Sequence, residues 1–185
     1  MIKLHLGCGN KILKGFINCD IQNIPGVDRS NVDVSNLKDF KDNEVDMIYA
    51  SHVLEHIPRP KTFSTLLEWN RVLKVGGKLR IGVPDFDATV KVYQRDGDYE
   101  NLLNWIYGGA EVPTNIHYRQ FTFSGLKTLL IEAGFKRVSK YNWQDTEHSE
   151  VDDFTKAYNP HMDLNGILMS LNIECIKHLN PKSYK

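Results

Sequence analysis

The opening of this chain limits the folds open to it more than any other stretch. Ile2-Lys3-Leu4-His5-Leu6 is a short apolar run, and it leads directly into Gly7-Cys8-Gly9-Asn10. A glycine turn at the end of a buried strand lets backbone approach a ligand closely, because no side chain stands in the way. Asp20 stands eleven positions after Gly9 and closes a second apolar run, Gly15-Phe16-Ile17-Asn18-Cys19. A carboxylate at the end of the neighbouring strand can accept hydrogen bonds from a ribose diol. The two features together point to a nucleoside cofactor bound at the edge of a parallel sheet.

The rest of the pattern alternates strand and helix, which favours an α/β fold with a doubly wound, mostly parallel sheet. The strand candidates are Ile2–Leu6, Phe16–Cys19, Val32–Val34, Val45–Ala50, Lys78–Val83, Phe135–Tyr141 and Leu171–Ile176, seven in all. Thr62 is placed to cap a helix carrying Phe63, Leu66, Leu67, Val72 and Leu73, with Gly76-Gly77 ending it. Ser124 is placed to cap a second, carrying Leu126, Leu129, Leu130 and Ala133, ended by Gly134. Only Asn10–Lys14 separates the glycine turn from the second run, too little chain for a full crossover helix. The stretch Ile21–Arg29 contains Pro25-Gly26, a turn signal. The early helices are therefore expected to be shortened or missing. An insertion over 85–122 follows the fifth strand and holds a helical pattern of Leu102, Leu103, Ile106 and Tyr107. Loops at strand C-terminal ends bind ligands in open α/β sheets, so this insertion is a candidate substrate lid. The chain reads as a single domain over 1–185, with 180–185 as a frayed tail.

Composition excludes several function classes. Lys plus Arg equals Asp plus Glu, at 23 each. Without a basic excess, no nucleic-acid partner is expected. No apolar run is long enough to span a bilayer, so no membrane partner is expected either. Cys8, Cys19 and Cys175 form no close-spaced pair and read as reduced thiols of a cytoplasmic protein. The first residues enter the core directly, so no leader is expected before them. Nothing in the sequence assigns an oligomeric state.

Five motifs in order carry a family resemblance. They are Leu4-His5-Leu6-Gly7-Cys8-Gly9; Asp20; Asp33-Val34-Ser35; Asp46 through His56; and Trp69-Asn70-Arg71-Val72-Leu73-Lys74-Val75-Gly76-Gly77-Lys78-Leu79, with Leu129 through Phe135 matching as well. Together they resemble the class I S-adenosylmethionine-dependent methyltransferases over nearly the whole chain. The compressed opening is most similar to small bacterial and phage members linked to surface-glycan or nucleotide-sugar pathways. The resemblance implies S-adenosylmethionine as cofactor. It places Gly7, Cys8 and Gly9 under the methionine part, Asp20 on the ribose hydroxyls and Asp33 with Val34 beside the adenine. It places Ser51 and His52 near the methionine and sulfonium. With so little helix behind the turn, Asn10 and Lys11 are expected to hold the cofactor's carboxylate end. A Rossmann dehydrogenase is disfavoured, because Ile12 stands where the third glycine of G-x-G-x-x-G belongs.

The implied activity is methyl transfer to a small polar acceptor, with a hydroxyl of a sugar, nucleotide-sugar or glycan favoured. Transfer to a hydroxyl is helped by a general base. The candidates are His56, after the fourth strand, then His117, in the insertion, then Asp85, just past the fifth strand. Proximity alone is the alternative to any dedicated base. Tyr118 and Arg119 are candidate substrate-binding residues, since aromatic and guanidinium groups stack on rings and bind phosphate. Trp105 and Tyr107 read as packing residues. The acidic stretch 143–160 reads as a solvated connection, with a mobile flap as the alternative.

His52-Val53-Leu54-Glu55-His56 also spells H-x-x-E-H, the inverted zinc-protease pattern. A metal hydrolase is therefore a third reading, disfavoured because the motif follows a buried strand rather than lying in a long helix. A milder version has Glu55 and His56, or His52, hold a divalent ion that places substrate. Its alternative is that these side chains only fix the loop, and no metal is assigned. A cofactor-binding regulatory protein without catalysis is the main alternative to the enzyme.

Overall fold

The computed structural model describes residues 1–109 and 111–178; the expected tail 180–185 lies outside the described residues. Six strands form the main sheet: β1 (Lys3–Leu6), β2 (Ile17–Cys19), β3 (Val45–Ser51), β4 (Leu73–Pro84), β5 (Phe135–Lys140) and β8 (Ser170–Lys177). Their order is β2-β1-β3-β4-β8-β5. The first four are mutually parallel, and β8 runs antiparallel to both β4 and β5. A two-stranded ribbon, β6 (Tyr158–Asn159) with β7 (Ile167–Leu168), lies outside this sheet. Among the described residues, no helix is long and apolar enough to cross a membrane.

The sheet is thus the expected mostly parallel one, with six strands rather than seven. Val32–Val34 is not a strand. Asp33 is exposed and Val34 is drawn into the core, where its carbonyl accepts the Trp69 indole N–H at 2.8 Å. Val34, Leu37 and Phe40 enter the same core cluster as Trp69, so this segment covers the sheet instead of joining it. No helix intervenes between β1 and β2, as the short spacing requires, and none between β2 and β3, where turns and the segment that covers the sheet take its place.

Four α-helices follow among the described residues: α1 (Thr62–Val72), α2 (Phe86–Asp96), α3 (Leu103–Tyr107) and α4 (Phe123–Glu132). Their caps differ from expectation. A 3-10 turn over Arg59–Lys61 leads into α1, so Thr62 is already helical and Lys61 holds the cap position. At α4 the cap is Thr122, whose Oγ1 accepts the Gly125 N–H, and not Ser124. The chain passes from α1 into β4 without a loop, and Gly76-Gly77 sits where the β3–β4 register shifts. The sequence pattern did not announce α2, because it buries only Ala88, Thr89 and Val92. The three cysteines are free and buried.

Candidate active site

A cleft of about 530 Å³ opens beyond the C-terminal ends of β1 and β3. Its floor is the glycine turn. Gly7 and Gly9 both have left-handed backbone, with φ of 62° and 52°. A Cβ on Gly7 would stand 2.5 Å from Val53 Cγ2, so the chain packs where a side chain would be. A Cβ on Gly9 would meet nothing within 4 Å and would enter open space. Gly7, Cys8, Gly9, Asn10 and Lys11 all line the cleft, as do Ser51 and His52 from the end of β3. Ser51 Oγ is buried and without a hydrogen-bond partner among the described residues.

Asp20 is buried behind this floor and does not itself line the cleft. Its carboxylate accepts the N–H of Gly9 and of Gln22, each at 2.8 Å, which pins the glycine turn to the end of β2. Each oxygen keeps a second lone pair. Asp33 and Val34 lie outside the cleft lining. The Asp33 carboxylate accepts from the Ser35 N–H at 2.9 Å and the Ser35 hydroxyl at 2.7 Å.

The opposite wall carries the imidazoles. His52 has φ of 53°, uncommon for a residue other than glycine, and its N–H donates to the Gly82 carbonyl at 2.8 Å. Ser170 Oγ donates its proton to Asn172 Oδ1 at 2.9 Å, so its lone pair takes the His52 Nε2–H at 3.0 Å. His52 Nδ1 then lies 3.1 Å from Glu55 Oε1. The contact is at ion-pair distance but not aligned as a hydrogen bond, and neither Glu55 oxygen has a hydrogen-bond partner among the described residues. Glu55 is wholly buried. Burial would raise its carboxyl, but the His52 and His56 imidazoles hold it below the usual carboxylate range.

His56 and His117 meet here, with ring centroids 4.8 Å apart. The contact is built by backbone. The Tyr118 N–H donates to the Glu55 carbonyl at 2.8 Å, and the His117 N–H donates to the Tyr107 carbonyl at 2.9 Å. His56 Nδ1 lies 3.2 Å from the Ile116 carbonyl, and His117 Nδ1 lies 3.1 Å from the Trp105 carbonyl. A carbonyl only accepts, so both rings carry a proton on Nδ1, and Nε2 is the atom that bears the lone pair in the neutral ring. Burial pulls His117 below the ordinary imidazole range, which favours that neutral form.

The other predicted residues lie elsewhere. Asp85 is outside the cleft lining: its carboxylate caps α2 through the Asp87 N–H at 3.0 Å and faces Lys140 Nζ at 3.7 Å. Tyr118 and Arg119 do not line the cleft, and the Arg119 guanidinium lies over the Phe121 ring at 5.3 Å. The sequence reading missed His5, Asp153 and Phe154, which line the cleft; Trp105 packs against Ala88, Val92, Leu102 and Met169 as expected and lines the cleft as well. Burial drives His5 down to about 4, so it is neutral, and pushes the Cys8 thiol up to about 12, so it is no nucleophile. Asp153 belongs to the stretch read as a solvated connection. It is buried, accepts the Tyr49 hydroxyl and accepts the Thr155 N–H at 2.9 Å.

The turn fits the cofactor that the motifs imply: an open approach at Gly9, an unpartnered buried hydroxyl at Ser51 and a fixed carboxylate at Asp20. Comparison with known proteins agrees. Residues 8–81 match the profile of a family described as "Methyltransferase domain". No curated protein sequence matches the chain significantly. An S-adenosylmethionine-dependent methyltransferase from Thermotoga maritima shares the fold with a TM-score of 0.59 at 20% identity, over 95% of this chain and 82% of that one. One from Archaeoglobus fulgidus gives 0.59 at 18% identity, over 95% and 85%. The Burkholderia thailandensis 1,6-didemethyltoxoflavin-N1-methyltransferase, solved with S-adenosylhomocysteine bound, gives 0.58 at 16% identity, over 96% and 71%. The matched segment carries the turn from Cys8, Asp20 and the cleft wall through His56, and the chain as a whole has the fold that these S-adenosylmethionine-dependent methyltransferases share.

Proposed function

We propose that the chain acts as a single catalytic domain that methylates a hydroxyl of a small polar acceptor, a sugar, nucleotide-sugar or glycan. One observation carries this reading. Two imidazoles, each with Nδ1 spent on a backbone carbonyl and Nε2 left for chemistry, meet in the same cleft as the glycine turn. A hydroxyl oxygen must shed its proton as it attacks carbon, and a positioned imidazole takes that proton near neutral pH.

When bound, S-adenosylmethionine supplies an activated methyl group on a sulfonium. Gly7, Cys8, Gly9, Asn10 and Lys11 would hold its amino-acid end, Ser51 and His52 would stand near the sulfonium, and Asp20 would take the ribose hydroxyls. His56, with His117 beside it, orients the acceptor hydroxyl and accepts its proton on Nε2. Glu55 offsets the positive charge that follows. Trp105 supports a ring-shaped acceptor by offering an aromatic face, and Asn104, Glu111 and Asn115 offer polar groups to hydroxyls on the same wall.

The test is mass spectrometry of a panel of nucleotide-sugars, free sugars and small amines after incubation with the chain and S-adenosylmethionine. A one-methyl mass gain on a sugar hydroxyl is the expected result. A gain confined to an amine overturns the acceptor class. Saturable S-adenosylhomocysteine binding with no turnover on any acceptor returns the reading to a regulatory cofactor-binding protein.

A further inference from the structure

The most costly feature of the cleft is the Glu55 carboxylate. It is wholly buried, and neither oxygen has a hydrogen-bond partner among the described residues. A buried ionised group without partners is strongly unfavourable, and such groups are kept where they pair or coordinate a metal. His52 relieves it only by charge: its 3.1 Å contact to Oε1 is at ion-pair distance but out of line for a hydrogen bond, and Oε2 has no hydrogen-bond partner among the described residues.

The neighbours supply what coordination needs. Glu55, His56 and His117 each offer a ligand atom, and these atoms lie within 4.8 Å of one another. Two atoms bound to one ion at about 2.1 Å sit roughly 3–4 Å apart, so small side-chain movements close the set. Both rings are oriented by Nδ1–H donated to a backbone carbonyl, Ile116 for His56 and Trp105 for His117. That outer-shell bond fixes the tautomer of a metal-binding histidine and aims Nε2 at the ion. The two loops are locked by the Tyr118 N–H on the Glu55 carbonyl, so the set is preformed.

We propose that Glu55, His56 and His117 bind a divalent first-row transition ion, with open coordination positions facing the cleft. Two imidazoles and one carboxylate suit zinc, iron, cobalt or nickel rather than magnesium or calcium, which prefer oxygen ligands throughout. The ion's role, unlike the site itself, rests on the hydroxyl-acceptor reading. A hydroxyl bound to the ion is acidified and releases its proton to solvent water. The ion then replaces the free imidazole as the means of activating the acceptor, and His56 and His117 become ligands.

The experiment is zinc binding to the purified chain after chelator treatment, read by elemental analysis and by competition with a chromophoric chelator. One zinc per chain is expected, with magnesium unable to displace it. Loss of an outer-shell partner typically weakens metal affinity by about 10–100-fold, so loss of a ligand should weaken it by at least about 100-fold. His117→Ala and Glu55→Gln are expected to show that loss, while His161→Ala, at an exposed site, keeps wild-type affinity. Circular dichroism and S-adenosylhomocysteine affinity show that each variant is folded. No zinc on the wild type, or wild-type affinity in folded His117→Ala and Glu55→Gln, overturns the site. Zinc bound as described with methyl transfer only to amines leaves the site standing and removes the hydroxyl reading.

Discussion

Gly7 and Gly9 look interchangeable in the sequence, yet the structure makes them fail differently. Each has φ in the left-handed region, 62° and 52°. An alanine there costs about 1–2 kcal/mol in backbone strain. Reduced freedom of the unfolded chain returns about 0.4–1 kcal/mol. The net is about 1 kcal/mol at either site. Gly7→Ala carries a second cost. Its methyl would stand 2.5 Å from Val53 Cγ2 and 3.1 Å from Cγ1. Val53 is buried and β-branched, so it cannot rotate away freely. Over-packing of this kind costs about 1–3 kcal/mol. At Gly9 the methyl meets nothing within 4 Å and enters the cleft instead. Urea unfolding should therefore place Gly7→Ala below Gly9→Ala by about 1–3 kcal/mol, a midpoint difference on the order of 1 M. Calorimetry with S-adenosylhomocysteine should show the reverse ranking of functional harm per unit of stability. Gly9→Ala stays folded and binds at least about tenfold more weakly, a loss of about 1.4 kcal/mol. Equal midpoints for the two variants would refute the packing argument. Undiminished affinity in Gly9→Ala would refute the close approach of cofactor to the turn.

Asp20→Ala should weaken S-adenosylhomocysteine binding by roughly ten- to a hundredfold, because it removes a charged acceptor worth about 1.5–3 kcal/mol and frees the Gly9 N–H it pins; unchanged calorimetric affinity would end the ribose assignment. His5 is buried and pulled down to about 4 by that burial, while in the unfolded chain it titrates near its ordinary 6.5. The unfolded state therefore binds the proton first. Stability through this group is full above about pH 6.5 and is lost as pH falls toward about 4, by an order of 3 kcal/mol. His5→Gln should flatten the urea-midpoint profile over that window, and parallel profiles would contradict the reasoning. Lys177 is wholly buried, with Nζ donating to Asn43 Oδ1 at 2.9 Å and the Leu73 carbonyl at 2.8 Å near the end of α1. Lys177→Met strands those acceptors and should lower unfolding stability by about 2–4 kcal/mol, whereas a loss under about 0.5 kcal/mol would show that they find other partners.

What the sequence made legible was local, and what it hid was long-range. The glycine turn, the short path to β2 and the end of α4 before Gly134 depend on a few adjacent residues, and the structure reproduces them. Val32–Val34 alternates like a strand, but its fate is decided by Trp69, whose indole takes the Val34 carbonyl out of reach of any sheet. The acidic stretch with Asp153 reads as solvated until Tyr49, on β3, supplies the hydroxyl that holds Asp153 in the cleft wall. Candidate bases followed the same rule. Residue type and place in the chain rank His56, His117 and Asp85 in that order but do not show which is free to act. Backbone separates them. The Asp85 carboxylate is spent on the start of α2 and on Lys140. Each histidine uses only Nδ1 on a carbonyl and keeps Nε2 for chemistry. A residue's availability for chemistry is thus set by which of its polar atoms the fold has already engaged. That is why Glu55, the one group in the cleft wall whose carboxylate oxygens are both buried and unengaged among the described residues, marks where a ligand has still to be found.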